Sequence, residues 1–296
     1  MLLAYNWPGW EHFKTPILSE FSTSWIMLFS HSPRAKLLWK EQTGRAVASY
    51  SSTRWWSRWE VYHQLLLLFG DVELFLQRND DVGAASRQKL LAIFQDPQKA
   101  ALLKIELASI IDWGEAFVKA TYNLEGDGPL AFTCYEIVQT VVASIQVANT
   151  PNVNAVAKSL APVPVVQQLL VTYAKSCVQP GLDYFQHQLQ TSLKVPLAAF
   201  KAARFFSPCK ITHLKPSASE VDALLAFPFL SSTNDLVGLK GELATYLANA
   251  EGVDPSVDCL DWWRQNAVIL PAWAAAARKV LVVQPSSAAA SEHSLY

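Results

Sequence analysis

Residues 97–130 read PQKAALLKIELASIIDWGEAFVKATYNLEGDGPL. Over 97–123 the apolar residues Leu103, Leu107, Ile110 and Phe117 recur at helical spacing, which places them along one face of a long helix. The stretch closes in EGDGPL (125–130), where two glycines and a proline stop it. The same period extends in both directions. Upstream, Ser52 or Thr53 is placed to cap a helix whose stripe is Trp55, Trp59, Tyr62, Leu66 and Phe69, ended by Gly70. Downstream, helical runs are expected at 130–149, 152–161, 164–177, 180–193, 196–206, 218–227 and 233–250. Most are separated by NTPN, PVP, QPG and KVP, which read as turns or helix starts. Strand-like text is confined to RAVASYSS (45–52) and LVVQP (281–285), and Ser286 or Ser287 is placed to cap a last helix. The chain reads as mostly α, with scraps of sheet near both ends.

Composition agrees. The 296 residues carry 24 Lys+Arg against 25 Asp+Glu, a net charge of −1, so no overall field favours nucleic acid or an anionic membrane. Hydrophobic residues make up 51% and charged residues only 17%, which excludes a disordered chain and leaves apolar surface to spare for a partner. Eleven Gly is a low share and suits helices, and eleven Trp favours a core with aromatic anchors. The longest apolar stretch, Ala267–Ala277, is broken by Pro271 and closed by Arg278 and Lys279, too short for a membrane span. The opening MLLAYNWPGW lacks the basic and apolar regions of a signal peptide. Cys134, Cys177, Cys209 and Cys259 are few and far apart, as reduced thiols are. These features lead us to expect an intracellular, soluble protein without a membrane partner.

Familiar catalytic motifs are missing: no GxxxxGK[ST], no GxSxG, no HExxH and no close cysteine pair. Cys209 and His213 form a lone CxxxH whose further metal ligands have no source, so ordinary structural roles are expected. Glu125, Asp127 and Glu136 read as a solvated turn leading into a helix start rather than a Mg²⁺ site. Trp55, Trp56 and Trp59 beside Arg54 and Arg58 have the composition of a base-stacking surface, but at helical spacing core packing is the stronger reading. No metal site and no cofactor is expected.

A resemblance sharpens this reading. DWWR (261–264), LPAWAAAARKVL (270–281) and QPSSAAASE (284–292) follow one another in the order and spacing of the C-terminal dimerisation signature of hAT transposases. TRWWSRWEV (53–61) resembles the TRW segment that follows the second catalytic aspartate in that superfamily. FGDVELFL, NLEGDGPL and AARFFSP resemble its helical insertion domain. The similarity runs from about His12 to Glu292.

The resemblance implies an RNase H-like core interrupted by an all-helical insertion. On that pattern residues 1–60 are a remnant of the RNase H-like core, 61–255 the insertion domain, and 256–296 the dimerisation region. The α/β remnant is then formed by the two chain ends. It also implies a mechanism in which two aspartates and a glutamate hold two divalent metals. Glu292 matches the glutamate, while both aspartates and a zinc finger belong upstream of the matched text. Mg²⁺ would be relevant only to residual activity of that kind, and no catalytic residue is assigned.

Three functions are therefore weighed. The first is a catalytically inactive, transposase-derived protein that self-associates, or pairs with a related full-length hAT transposase, through Trp262, Trp263, Leu270, Trp273, Val280 and Leu281. Packing of these side chains inside the chain's own core is the competing reading. The second is non-catalytic DNA binding through Arg54, Arg58, Lys194, Lys201, Arg204, Lys210 and Lys215, which a solvated helix face explains equally well. The third, an active nuclease or transposase, lacks carboxylate partners for Glu292. The resemblance implies a nuclear location, although no run of Lys/Arg serves as an import signal.

Overall fold

Helical structure accounts for most of the described residues. The computed structural model describes residues 10–30, 32–51, 55–125, 128–147, 149–230 and 233–283, and among them there is no strand. The helices are α1 (Pro16–Ser30), α2 (Pro33–Thr43), α3 (Trp55–Leu67), α4 (Phe69–Arg78), α5 (Ala84–Gln95), α6 (Pro97–Leu124) and α7 (Cys134–Val147). They continue with α8 (Pro151–Leu160), α9 (Pro164–Gln190), α10 (Lys194–Ala203), α11 (Pro208–Leu214), α12 (Thr233–Asn249), α13 (Cys259–Asn266) and α14 (Pro271–Val280). Among the described residues no helix is long and apolar enough to cross a membrane.

Contacts divide the chain into two units. The first is Asn6–Val118 with Ser144–Phe185; the second contains Lys119–Ala143 with Gln186–Tyr296. In the first unit α1 lies against α5 and α2 against α4. Phe21, Trp25, Trp39 and Phe75 are almost fully buried there, and the rings of Trp25 and Trp39 meet edge to face at 5.2 Å. The second unit is built on α10, α12 and α14, which meet directly or through the 3₁₀ turn Glu220–Ala226.

Helix ends explain much of the first unit. A helix opening on proline has its φ preset, but its next N–H groups still need acceptors. For α1 the acceptor is Glu106 of α6, fully buried, whose carboxylate takes Leu18 N–H at 2.7 Å and the Tyr173 hydroxyl at 2.5 Å. For α8 it is Asp112, also of α6, which accepts from Asn152 N at 3.2 Å, Val153 N at 2.9 Å and the Asn152 side-chain amide at 2.6 Å. Long α6 thus fixes where two other helices begin. Its face Leu103, Leu107, Ile110 and Phe117 is buried, as the spacing predicts.

Several sequence expectations are corrected. QPG does not divide residues 164–193: α9 runs through with Pro180 inside it. The Cys177 carbonyl, three residues before this proline, accepts Lys14 N–H at 2.8 Å, so a chain segment from before α1 packs against the helix at this point. The helix after Trp55 breaks at Leu68 rather than Gly70, because Val61, Tyr62 and Leu65 form the buried face of α3 while α4 turns a new face, Val72, Phe75 and Leu76, inward. Leu66 is only half-buried, and Gly70 sits exposed in the first turn of α4. Residues 218–227 give a 3₁₀ turn, Glu220–Ala226, instead of an α-helix. Neither strand expectation is met among the described residues. Arg45–Ser51 is irregular, held by side chains rather than by another strand, and Leu281–Val283 ends α14 in a turn.

Burial pushes the Glu106 carboxyl above its ordinary value, opposed by the hydrogen bonds from Tyr173, Leu18 and Ile17. Burial raises Asp112 likewise, against the bonds from Val153 and Asn152. The folded state then holds these protons more tightly than the unfolded chain. Their contribution to stability is greatest below the ordinary carboxyl range and falls as pH rises through the raised values. Glu106→Ala strands Leu18 N–H and the Tyr173 hydroxyl in the core and is expected to cost about 2–4 kcal/mol. Glu106→Gln keeps the shape and should flatten the decline in stability just above the ordinary glutamate value. Urea unfolding at a series of pH values reads both.

Candidate functional site

The segment 256–283 carries the residues singled out for dimerisation, and its local structure is set by two carboxylates. Asp258 caps α13, its Oδ1 accepting from Leu260 N at 2.7 Å and Asp261 N at 2.9 Å. α14 opens on Pro271 with no cap of its own. Glu242 of α12 supplies one, accepting from Ala272 N at 3.0 Å and from Trp273 N at 3.2 Å. The helices are close enough that a Cβ on Gly238 would lie 2.9 Å from that of Ala272. Glycine is therefore required at this crossing.

These caps bring an aromatic cluster together. Trp263 donates its indole N–H to the Phe206 carbonyl and Trp273 donates to the Leu239 carbonyl, each at 2.9 Å. The Tyr246 hydroxyl donates to the Phe205 carbonyl, also at 2.9 Å. The Tyr246 ring stands 5.6 Å from Trp262, 5.0 Å from Trp263 and 4.8 Å from Trp273. Burial pushes the Tyr246 phenol well above its ordinary value, so it stays a neutral donor. All six residues proposed as dimer anchors, Trp262, Trp263, Leu270, Trp273, Val280 and Leu281, are buried in this core. The large apolar groups that the segment presents to solvent are Val257, Leu260, Val268, Ile269 and Val282, with Val268 92% exposed on the connection between α13 and α14.

The basic candidates divide. Lys210 pairs with Glu136 and donates to the Phe132 carbonyl at 3.1 Å. Arg204 lies 3.7 Å from the same carboxylate, and its guanidinium sits 4.8 Å above the Tyr135 ring. Lys201 is exposed and reaches that ring at 6.0 Å, while Lys194 and Lys215 are exposed. In the other unit Arg58 donates to the Tyr50 hydroxyl at 2.8 Å. The structure thus gathers Lys201, Arg204 and Lys210 around Tyr135 and Glu136, where part of their charge is neutralised. Arg54, Asp127 and Glu292 lie outside the described residues.

Among the described residues no group of three His, Cys, Asp or Glu side chains is near enough to hold a metal ion. Cys209 lies 3.2 Å from the Ser207 hydroxyl. Burial pushes Cys134 and Cys177 up to about 12 and Cys259 up to about 11, far from thiolates at neutral pH. Glu242 and Tyr246 were missed in the sequence. Their signal was the spacing Leu239, Glu242 and Tyr246, which puts a carboxylate on an otherwise apolar helix face. The chain matches no protein-family model, no curated protein and no solved structure.

Trp273→Ala empties the centre of the cluster and removes the indole bond to the Leu239 carbonyl, for an expected loss of about 3–5 kcal/mol. Val268→Ala, on the exposed connection, should change stability by no more than about 0.5 kcal/mol. Urea unfolding of the two variants beside wild type separates core from surface in this segment.

Proposed function

We propose that the chain is a catalytically inactive protein of hAT transposase origin that acts by associating with itself or with a related full-length transposase. The observation that carries the reading is the division of labour in the signature-like segment. Its large aromatic residues build a packed core with Tyr246 and Phe206, while Val257, Leu260, Val268, Ile269 and Val282 are left as apolar surface. On this reading the buried tryptophans shape the surface, and the exposed aliphatic residues touch the partner. The finer parts of the proposal rest on the resemblance alone: an α/β remnant of an RNase H-like core at the chain ends, and a nuclear location. Of the three carboxylates of that pattern, Glu292 is the one that has a match among these residues. DNA binding without catalysis is the weaker alternative, since Arg204 and Lys210 share Glu136.

Sedimentation of the wild type beside Val268→Asp/Ile269→Asp tests the proposal. A wild-type dimer that becomes a folded monomer in the variant is the expected result, with unchanged helical circular dichroism. A monomeric wild type overturns self-association. Retention on duplex DNA that weakens steeply with salt, lost in Lys194→Glu/Lys201→Glu, would move the assignment to DNA binding.

A further inference from the structure

The first unit contains a groove of about 490 Å³ that the proposed association does not use. Its apolar side is formed by Trp25, Ile26 and Phe29 of α1 with Leu37 of α2, and Leu37 is 57% exposed. Lys36 and Lys40, one helical turn apart on α2, stand along the same groove. Both are exposed, and neither forms an ion pair with a described residue. The remaining wall is the irregular segment Ala46–Tyr50.

That wall has one edge satisfied and one open. The Gln64 side-chain amide donates to the Ala46 carbonyl at 2.7 Å and accepts from Ala48 N–H at 2.8 Å. A neighbouring parallel strand would engage this same pair of groups on either side of one residue. In trans peptides the N–H and C=O of a linkage point in opposite directions, so Val47 N–H and C=O face away from Gln64. Gln64 does not line the groove and Val47 does. Neither backbone group of Val47 has a partner among the described residues. At Val47 this irregular segment offers the hydrogen-bonding groups of a strand edge, held from behind by the Gln64 side chain and without a partner in front among the described residues.

We propose that this groove binds an extended peptide with alternating apolar and acidic side chains, which pairs its backbone with Val47 and sets its carboxylates against Lys36 and Lys40. The backbone bonds select an extended chain, the α1–α2 surface takes the apolar side chains, and the two lysines select acidic ones. The proposal does not depend on the self-association reading, which concerns the other unit.

The test uses the full chain and a fluorescein-labelled peptide alternating glutamate and valine, about six residues long, the length of an ordinary strand. Fluorescence anisotropy is expected to show saturable binding, weakened at least about tenfold by Lys36→Glu/Lys40→Glu, two exposed substitutions. Val47→Pro removes an N–H that has no partner among the described residues and should abolish binding. Two N-methylated peptides leave the protein untouched. Methylation of every valine amide blocks one edge of the peptide and methylation of every glutamate amide blocks the other, and only one of the two should still bind. No binding of the parent peptide overturns the proposal. So does equal binding of both methylated forms, or displacement by a short single-stranded oligonucleotide together with insensitivity to methylation, which would make the lysines a phosphate site.

Discussion

Acidic side chains at the beginnings of proline-led helices hold this molecule in register. Proline presets the first turn but does nothing for the N–H groups that follow, and the positive end of the helix dipole adds its own demand for a negative partner. In α1, α8 and α14 the residue before proline supplies no such partner, and Glu106, Asp112 and Glu242 supply it from other helices. Each bond of this kind is directional and couples elements far apart in sequence. Apolar packing alone would let α1 slide along its neighbours, whereas a carboxylate at a fixed point on α6 does not.

The helical character of the chain was legible because it rests on spacing within single segments. The face of α6 and the start of α8 beside NTPN could be read from neighbours a few residues apart. What could not be read depended on distant partners. QPG reads as a break, yet α9 continues through Pro180 where Lys14 N–H bonds the Cys177 carbonyl, a partner more than 160 positions away. RAVASYSS has the residues of a strand, yet its backbone bonds at Ala46 and Ala48 go to the Gln64 side chain, which no pattern of strand pairing anticipates. A strand is a relation between two segments, and local text reports only one of them.

The same distinction governs the candidate site. Tryptophan-rich text in 261–273 announces large apolar groups without saying whether they face inward or outward. Their direction is settled by Glu242 capping α14 and by the close crossing at Gly238, both on α12, some thirty positions earlier. The basic cluster shows a similar limit. Lys201, Arg204 and Lys210 are neighbours in sequence and in space, but Glu136 and Tyr135, which temper their charge, come from α7.

The division of the chain also bears on how the protein emerges from the ribosome. Every segment of the first unit has been made once residue 185 is synthesised, so α1, α6, α8 and α9 can close on one another while translation continues. The second unit cannot do this. Its early piece, Lys119–Ala143, must wait for Gln186–Tyr296, and Trp273, which completes the aromatic cluster, comes later than every other residue of that cluster. Until then the part of α12 that α14 covers, including Leu239 and the Tyr246 ring, lacks that cover. Nascent second units on neighbouring ribosomes are therefore the species most exposed to exchanging C-terminal helices between chains.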